Sequence, residues 1–128
     1  MNKRQRIFEK YSGLCTYSGT PLETDWQVDH CNPLIRGLDG VALFPDNSEE
    51  NMAPCQRIIN HYKGNWTVEE FRRYMLTLHE RLAKLPAKPR AKKSIKRKEY
   101  MLKVAGYFDV TPEKPWSGVF YFETKEEK

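Results

Sequence analysis

The residues that could do chemistry lie between positions 28 and 64. Asp29 and His30 are adjacent, Pro33 follows, Asn51 comes later, and Asn60, His61, Lys63 and Gly64 close the stretch. A carboxylate and a neutral amide are oxygen ligands of the kind a hard divalent cation takes. An imidazole beside such an ion is able to take a proton from water near neutral pH. Together these groups are suited to phosphodiester hydrolysis, in which the cation offsets charge on phosphate oxygens. Asp29 and His30 are neighbours on an extended segment, so their side chains face opposite ways unless the strand bends, and Pro33 permits a bend. If a short helix bearing Asn60 packs back across that strand, Asp29 and Asn60 share one cation. Asn51 then bridges backbone groups after His30 and fixes the imidazole.

Several elements must hold these residues in place. Ile7, Phe8 and Tyr11 give residues 1–11 an amphipathic helical pattern that ends near Gly13. Residues 14–17 read as a short strand, 18–21 as a turn, and 26–29 as a second extended piece. Residues 32–50 are loop-like apart from a small strand at 41–44, and residues 51–54 are extended. Ile58, Ile59 and Tyr62 predict a helix over 55–63 with Gly64 as its cap. Thr67 and Glu70 make a capping box. Behind it Val68, Phe71, Met75, Leu78 and Leu82 form one apolar stripe, which Pro86 and Pro89 stop. The basic stretch that follows reads as part linker and part helix to about Val104, residues 116–122 as a strand, and the charged tail from Glu123 as frayed.

Composition narrows the function classes. The 128 residues are 39% hydrophobic and 30% charged, one domain's worth of soluble polymer. No run of eighteen apolar residues exists to cross a membrane, the first residues form no secretory signal, and three cysteines argue against a closed disulfide framework. These features predict a cytoplasmic protein with no membrane partner. The net charge of +5 is concentrated, because eight basic and no acidic residues fall within positions 84–98, leaving 14 basic against 17 acidic elsewhere. Such a strip is the footprint of a polyanion binder, with Arg90, Lys92, Lys93, Lys96, Arg97 and Lys98 as candidate nucleic-acid contacts, or else a solvated linker. The three cysteines read as buried or idle thiols. Trp26, Trp66 and Trp116 read as packing residues, and His79 as a solvated one.

The motifs Gly13-Leu-Cys-Thr-Tyr-Ser-Gly19, Val28-Asp29-His30 with Pro33, Asn51, Asn60-His-Tyr-Lys-Gly64 and Thr67-x-Glu-Glu-Phe71 resemble those of the HNH endonucleases of the ββα-metal type. Within that family the chain is similar to free-standing phage HNH proteins and to the HNH domain of RNA-guided CRISPR nucleases. The resemblance covers about residues 8–75. It implies an α+β fold with a small ββα-metal core of two short strands and a helix, flanked by helices and followed by a C-terminal helix/strand extension. The expected organisation is a nuclease domain over 1–83, a basic linker or DNA-contacting segment over 84–98, and an extension over 99–128. The resemblance implies His30 as general base, Asp29 and Asn60 as metal ligands, and Asn51 as the structural asparagine of the motif. His61 is a second-tier candidate, and Lys63 faces phosphate or pins the helix end.

The implied cofactor is a divalent ion, Mg²⁺ first and Mn²⁺ or Zn²⁺ as alternatives. The implied partner is DNA, double-stranded, bound by a monomer or weak dimer; one metal site per chain gives a nick. Many family members carry two Cys-x-x-Cys pairs around a structural zinc. Here Ser18 stands third after Cys15, and Ile58 third after Cys55, so no four-thiolate site forms. An apolar cluster of Tyr17, Ile58, Ile59 and Phe71 is expected in its place. The segment at 37–46 reads as an excursion that touches DNA or decorates the fold. Two other functions compete: a DNA-binding or packaging accessory protein without turnover, and a non-specific nuclease that also acts on RNA.

Overall fold

A computed structural model describes residues 1–31 and 48–125. The small strand expected at 41–44 and the excursion at 37–46 lie outside the described residues, as do positions 126–128. The fold is α+β, and the described residues form six α-helices and one two-stranded antiparallel sheet. Two compact units divide the chain, Met1–Phe71 with Phe120–Lys128 in the first and Arg72–Val119 in the second.

The first unit begins with α1 (Lys3–Glu9), whose Asn2 and Gln5 form a reciprocal capping box. Ile7 of α1 packs with Trp26 and Met52 in a small core cluster, which Phe8 and Val28 flank. Residues 14–17 do not form the expected strand. They close a hairpin through one bridge between Leu14 and Pro21, and the Cys15 N–H donates to the Thr20 carbonyl at 2.8 Å. Gly19 turns this hairpin at φ +72°, a conformation that glycine adopts without strain.

Strand β1 (Gln27–His30) pairs with β2 (Met52–Cys55), with Asp29 opposite Ala53 and His30 opposite Met52. A 3₁₀ turn, Glu49–Asn51, leads into β2. Helix α2 (Arg57–Lys63) ends at Gly64, which sits at φ 56° and donates its N–H to the Asn60 carbonyl, in agreement with the expected cap. The helix packs against β1, and α1 packs against β2. At the start of α3 (Val68–Leu76) the Thr67 hydroxyl accepts the Glu70 N–H and the Glu70 carboxylate accepts the Thr67 N–H, which completes the capping box. Tyr17, Ile59 and Phe71 are fully buried, while Ile58 is half-buried. Of the apolar cluster expected in place of a thiolate site, Tyr17 and Phe71 meet edge to face, and Phe120 stacks on Phe71.

The end of the chain differs from expectation. Residues 116–120 are not a strand, and α6 (Tyr121–Lys125) occupies part of the supposedly frayed tail. The N–H groups of Tyr121 and Phe122 donate to the carbonyls of Tyr17 and Thr16, and the Glu123 carboxylate caps the Phe120 N–H at 2.8 Å. Those contacts satisfy the backbone locally, so no partner strand is needed.

In the second unit the predicted long helix is interrupted. Helix α4 (Leu78–Ala83) begins after Thr77, whose hydroxyl donates to the Tyr74 carbonyl at 3.1 Å. Arg81 also reaches that carbonyl and lies over the Tyr74 ring, so side chains compete for the backbone where the helix breaks. Helix α5 (Lys92–Tyr107) runs through the basic stretch and buries Met101, Val104 and Ala105. Phe108 and Trp116 pack edge to face. His79, expected in solvent, is half-buried with its Nδ1 lacking a hydrogen-bond partner among the described residues. No described helix is long and apolar enough to cross a membrane.

Candidate functional site

Strand alternation sorts the motif residues between two faces. Gln27 and Asp29 share the face of β1 that meets α2, while Val28 and His30 share the other, opposite Pro54 and Met52. The strand stays regular through His30, so the bend that would bring both motif side chains to one face is not found within β1. His30 is half-buried at the strand's end.

Asp29 is buried, and its two carboxylate oxygens are engaged. The Tyr17 hydroxyl donates to Oδ2 at 2.5 Å. The Lys63 ammonium lies 3.2 Å from Oδ2 and 3.4 Å from Oδ1. Burial raises the Asp29 pKa, against the opposing pull of Lys63 and Tyr17. Burial likewise pushes the Tyr17 phenol well above its ordinary range, with the Asp29 charge adding to the effect. Lys63 is fully buried and donates a further hydrogen bond to the His30 carbonyl at 3.2 Å. The reading of Lys63 as a phosphate contact is therefore corrected. Its ammonium ties the C-terminal turn of α2 to the end of β1, the alternative of pinning the helix end.

Asn60 lies one turn before Lys63 on α2 and is half-buried. Its amide nitrogen donates to the Gln27 side chain at 2.8 Å. The structure thus pairs Asp29 with Lys63 and Asn60 with Gln27, two neighbouring strand–helix contacts on one face. Asn51 is buried at the entrance to β2, and its carbonyl accepts the Cys31 N–H at 2.9 Å. That main-chain bond joins the residue after His30 to the residue before β2, and any residue type at position 51 would supply it. His61 is exposed on α2.

In donor type, Asp29 and Asn60 fit a hard cation at the β1–α2 face: one carboxylate on the strand and one amide on the helix. Among the described residues no three His, Cys, Asp or Glu side chains gather at one point, so an ion there would rely on this carboxylate–amide pair and on water or phosphate oxygens. The Lys63 ammonium already balances the Asp29 charge and competes for the same oxygens.

In the second unit Arg90, Lys92, Lys93, Lys96 and Arg97 are exposed. Lys98 is not part of that open strip, because its ammonium donates to the carbonyls of Pro86 and Ala87, both at 2.8 Å. Sequence reasoning missed Tyr17 as the partner of Asp29. Its place in the Gly13–Gly19 motif was the available signal, but the contact depends on the hairpin's path. Compared with known proteins, the chain matches no family model, no curated protein and no solved structure.

Proposed function

We propose that the chain is a metal-dependent endonuclease of the HNH type, hydrolysing phosphodiester bonds in DNA. The observation that carries this reading is the order and packing of β1, β2 and α2. An antiparallel strand pair is followed by a helix that lies on β1, with Asp29 and His30 on the strand, Asn51 at the turn and Asn60 on the helix. That is the ββα frame in which the motif's residue types have a use. Asp29 and Asn60 would hold the divalent ion, Mg²⁺ in the first instance. The bound ion would supply Lewis-acid charge to a phosphate oxygen. His30 takes the proton of the attacking water. Lys63 and Tyr17 fix the carboxylate, and Lys63 fixes the backbone of His30. The exposed strip of Arg90, Lys92, Lys93, Lys96 and Arg97 engages the phosphates of duplex DNA. A monomer nicks.

One observation favours a second reading, a DNA-binding accessory protein that keeps the frame without turnover. Both Asp29 oxygens are engaged by Lys63 and Tyr17, and strand alternation sets His30 on the face away from α2. A supercoiled-plasmid assay separates the two. With Mg²⁺ or Mn²⁺ the wild type yields open-circle product, EDTA abolishes it, and His30→Ala lowers the nicking rate by about 100-fold or more. Equal cutting by His30→Ala removes the imidazole from the mechanism, and no cutting with any divalent ion favours the accessory protein.

The strip has its own test. Changing Lys92, Lys93, Lys96 and Arg97 to Gln weakens duplex binding measured by fluorescence anisotropy. It also flattens the plot of log affinity against log salt by about 0.9 for each phosphate that is no longer neutralised. An unchanged slope makes the strip a linker.

A further inference from the structure

Cys15 and Cys55 are both fully buried, and both thiols are free. The N–H and the hydroxyl of Thr16 donate to the Pro54 carbonyl at 2.9 Å each, which lays the first arm of the 14–21 hairpin beside β2. Cys15 and Cys55 are the next residues along these two backbones, so the register sets them opposite one another. Cross-strand neighbours of this kind have Cα atoms within the span of about 4.4–6.8 Å that a disulfide requires.

The surroundings of the two sulfurs are unequal. Burial acts to raise the Cys15 pKa, but the polar surroundings of Cys55, Ser18 and the Gln56 backbone outweigh it and hold the thiol below its ordinary range. Burial pushes Cys55 well above its own range. The two shifts run in opposite directions, towards the thiolate on Cys15 and the thiol on Cys55. Cys31 lies outside this pair, half-buried, with the Tyr17 hydroxyl as its hydrogen-bond partner at 3.6 Å.

We infer that Cys15 and Cys55 form a peroxide-oxidisable dithiol, with Cys15 the reacting sulfur and Cys55 the resolving one. The Cys15 thiolate attacks one oxygen of hydrogen peroxide, the O–O bond breaks, and the departing hydroxide takes up a proton to give water. Cys15 is left as a sulfenic acid. The Cys55 sulfur then attacks the Cys15 sulfur, the S–O bond breaks, and hydroxide leaves with the Cys55 proton as a second water. Two thiols are oxidised to one disulfide and one peroxide is reduced to two waters. Because both sulfurs are buried, the reaction proceeds from a local opening of the hairpin and is slower than at an exposed thiol.

The test uses the full chain and does not depend on nuclease activity. After hydrogen peroxide treatment and alkylation under denaturing conditions, non-reducing peptide mapping is expected to find the Cys15 and Cys55 peptides linked and Cys31 alkylated. The melting temperature is expected to rise by about 5 °C or more, since the bond closes a loop of about forty residues, and dithiothreitol should reverse the rise. In Cys55→Ser the sulfenic acid persists on Cys15 and is trapped by dimedone. Alkylation of all three cysteines after peroxide, a linkage through Cys31, or dimedone on Cys31 alone overturns the inference. The wild-type map suffices for this if Cys55→Ser does not fold.

Discussion

Lys63→Met lowers the stability of the chain by about 3–5 kcal/mol in urea denaturation, one of the two largest effects expected for a single substitution. The methionine keeps most of the stem volume, so what is lost is the ammonium. That ammonium is fully buried and bonds both Asp29 oxygens and the His30 carbonyl. Without it the buried carboxylate keeps the Tyr17 hydroxyl but has lost the cation that balances its charge. Burial already raises the Asp29 pKa, and loss of Lys63 removes the leading force opposing that rise. The deficit is therefore full above the folded-state pKa and shrinks as pH falls towards the ordinary carboxylate range, where Asp29 is neutral in both folded and unfolded chains. The double change Asp29→Asn with Lys63→Met recovers most of the loss, because no unpaired charge is left buried. A loss below about 1 kcal/mol in Lys63→Met at neutral pH would show that the pair is as weak as a surface ion pair.

Phe71→Ala is expected to be as damaging, at about 3–5 kcal/mol. Phe71 is fully buried, meets Tyr17 edge to face at 5.5 Å and stacks on Phe120 at 5.2 Å. Tyr62 of α2 approaches it at 6.4 Å. Removing the ring leaves a cavity bounded by three other aromatics, which are too large and too fixed to collapse into it. The same change loosens Tyr17, and with it the hydroxyl that holds Asp29. Fluorescence-monitored urea denaturation reads the stability loss. A change below about 1.5 kcal/mol would mean that the surrounding rings close the gap.

Much of the local structure was legible because the signals are local. Thr67 with Glu70 marked the start of α3, Gly64 the end of α2, and the spacing of Ile59 and Tyr62 the helix between. The interruption at Thr77 was not legible, because the apolar stripe runs on through Met75, Leu78 and Leu82 while the break arises from hydroxyl and guanidinium bonds to one carbonyl. Residues 116–122 have strand composition, yet β propensity expresses itself only where a partner edge is open. At the candidate site, Asp29, Asn51 and Asn60 were legible as a set from their order. Their pairing was not, because whether an ammonium at position 63 reaches solvent or a buried carboxylate depends on the angle at which α2 crosses β1. The Tyr17–Asp29 bond was hidden for the same reason, since it spans a hairpin and a strand.

The docking of Phe120, Tyr121 and Phe122 onto Thr16, Tyr17 and Phe71 has a consequence for biosynthesis. The first unit is discontinuous in sequence, so its aromatic core lacks a wall until residues 120–122 have left the ribosome, roughly fifty positions after Phe71. During that interval Tyr17 and Phe71 stay exposed on the nascent chain, and the unit completes its packing only after translation has passed the whole of Arg72–Val119.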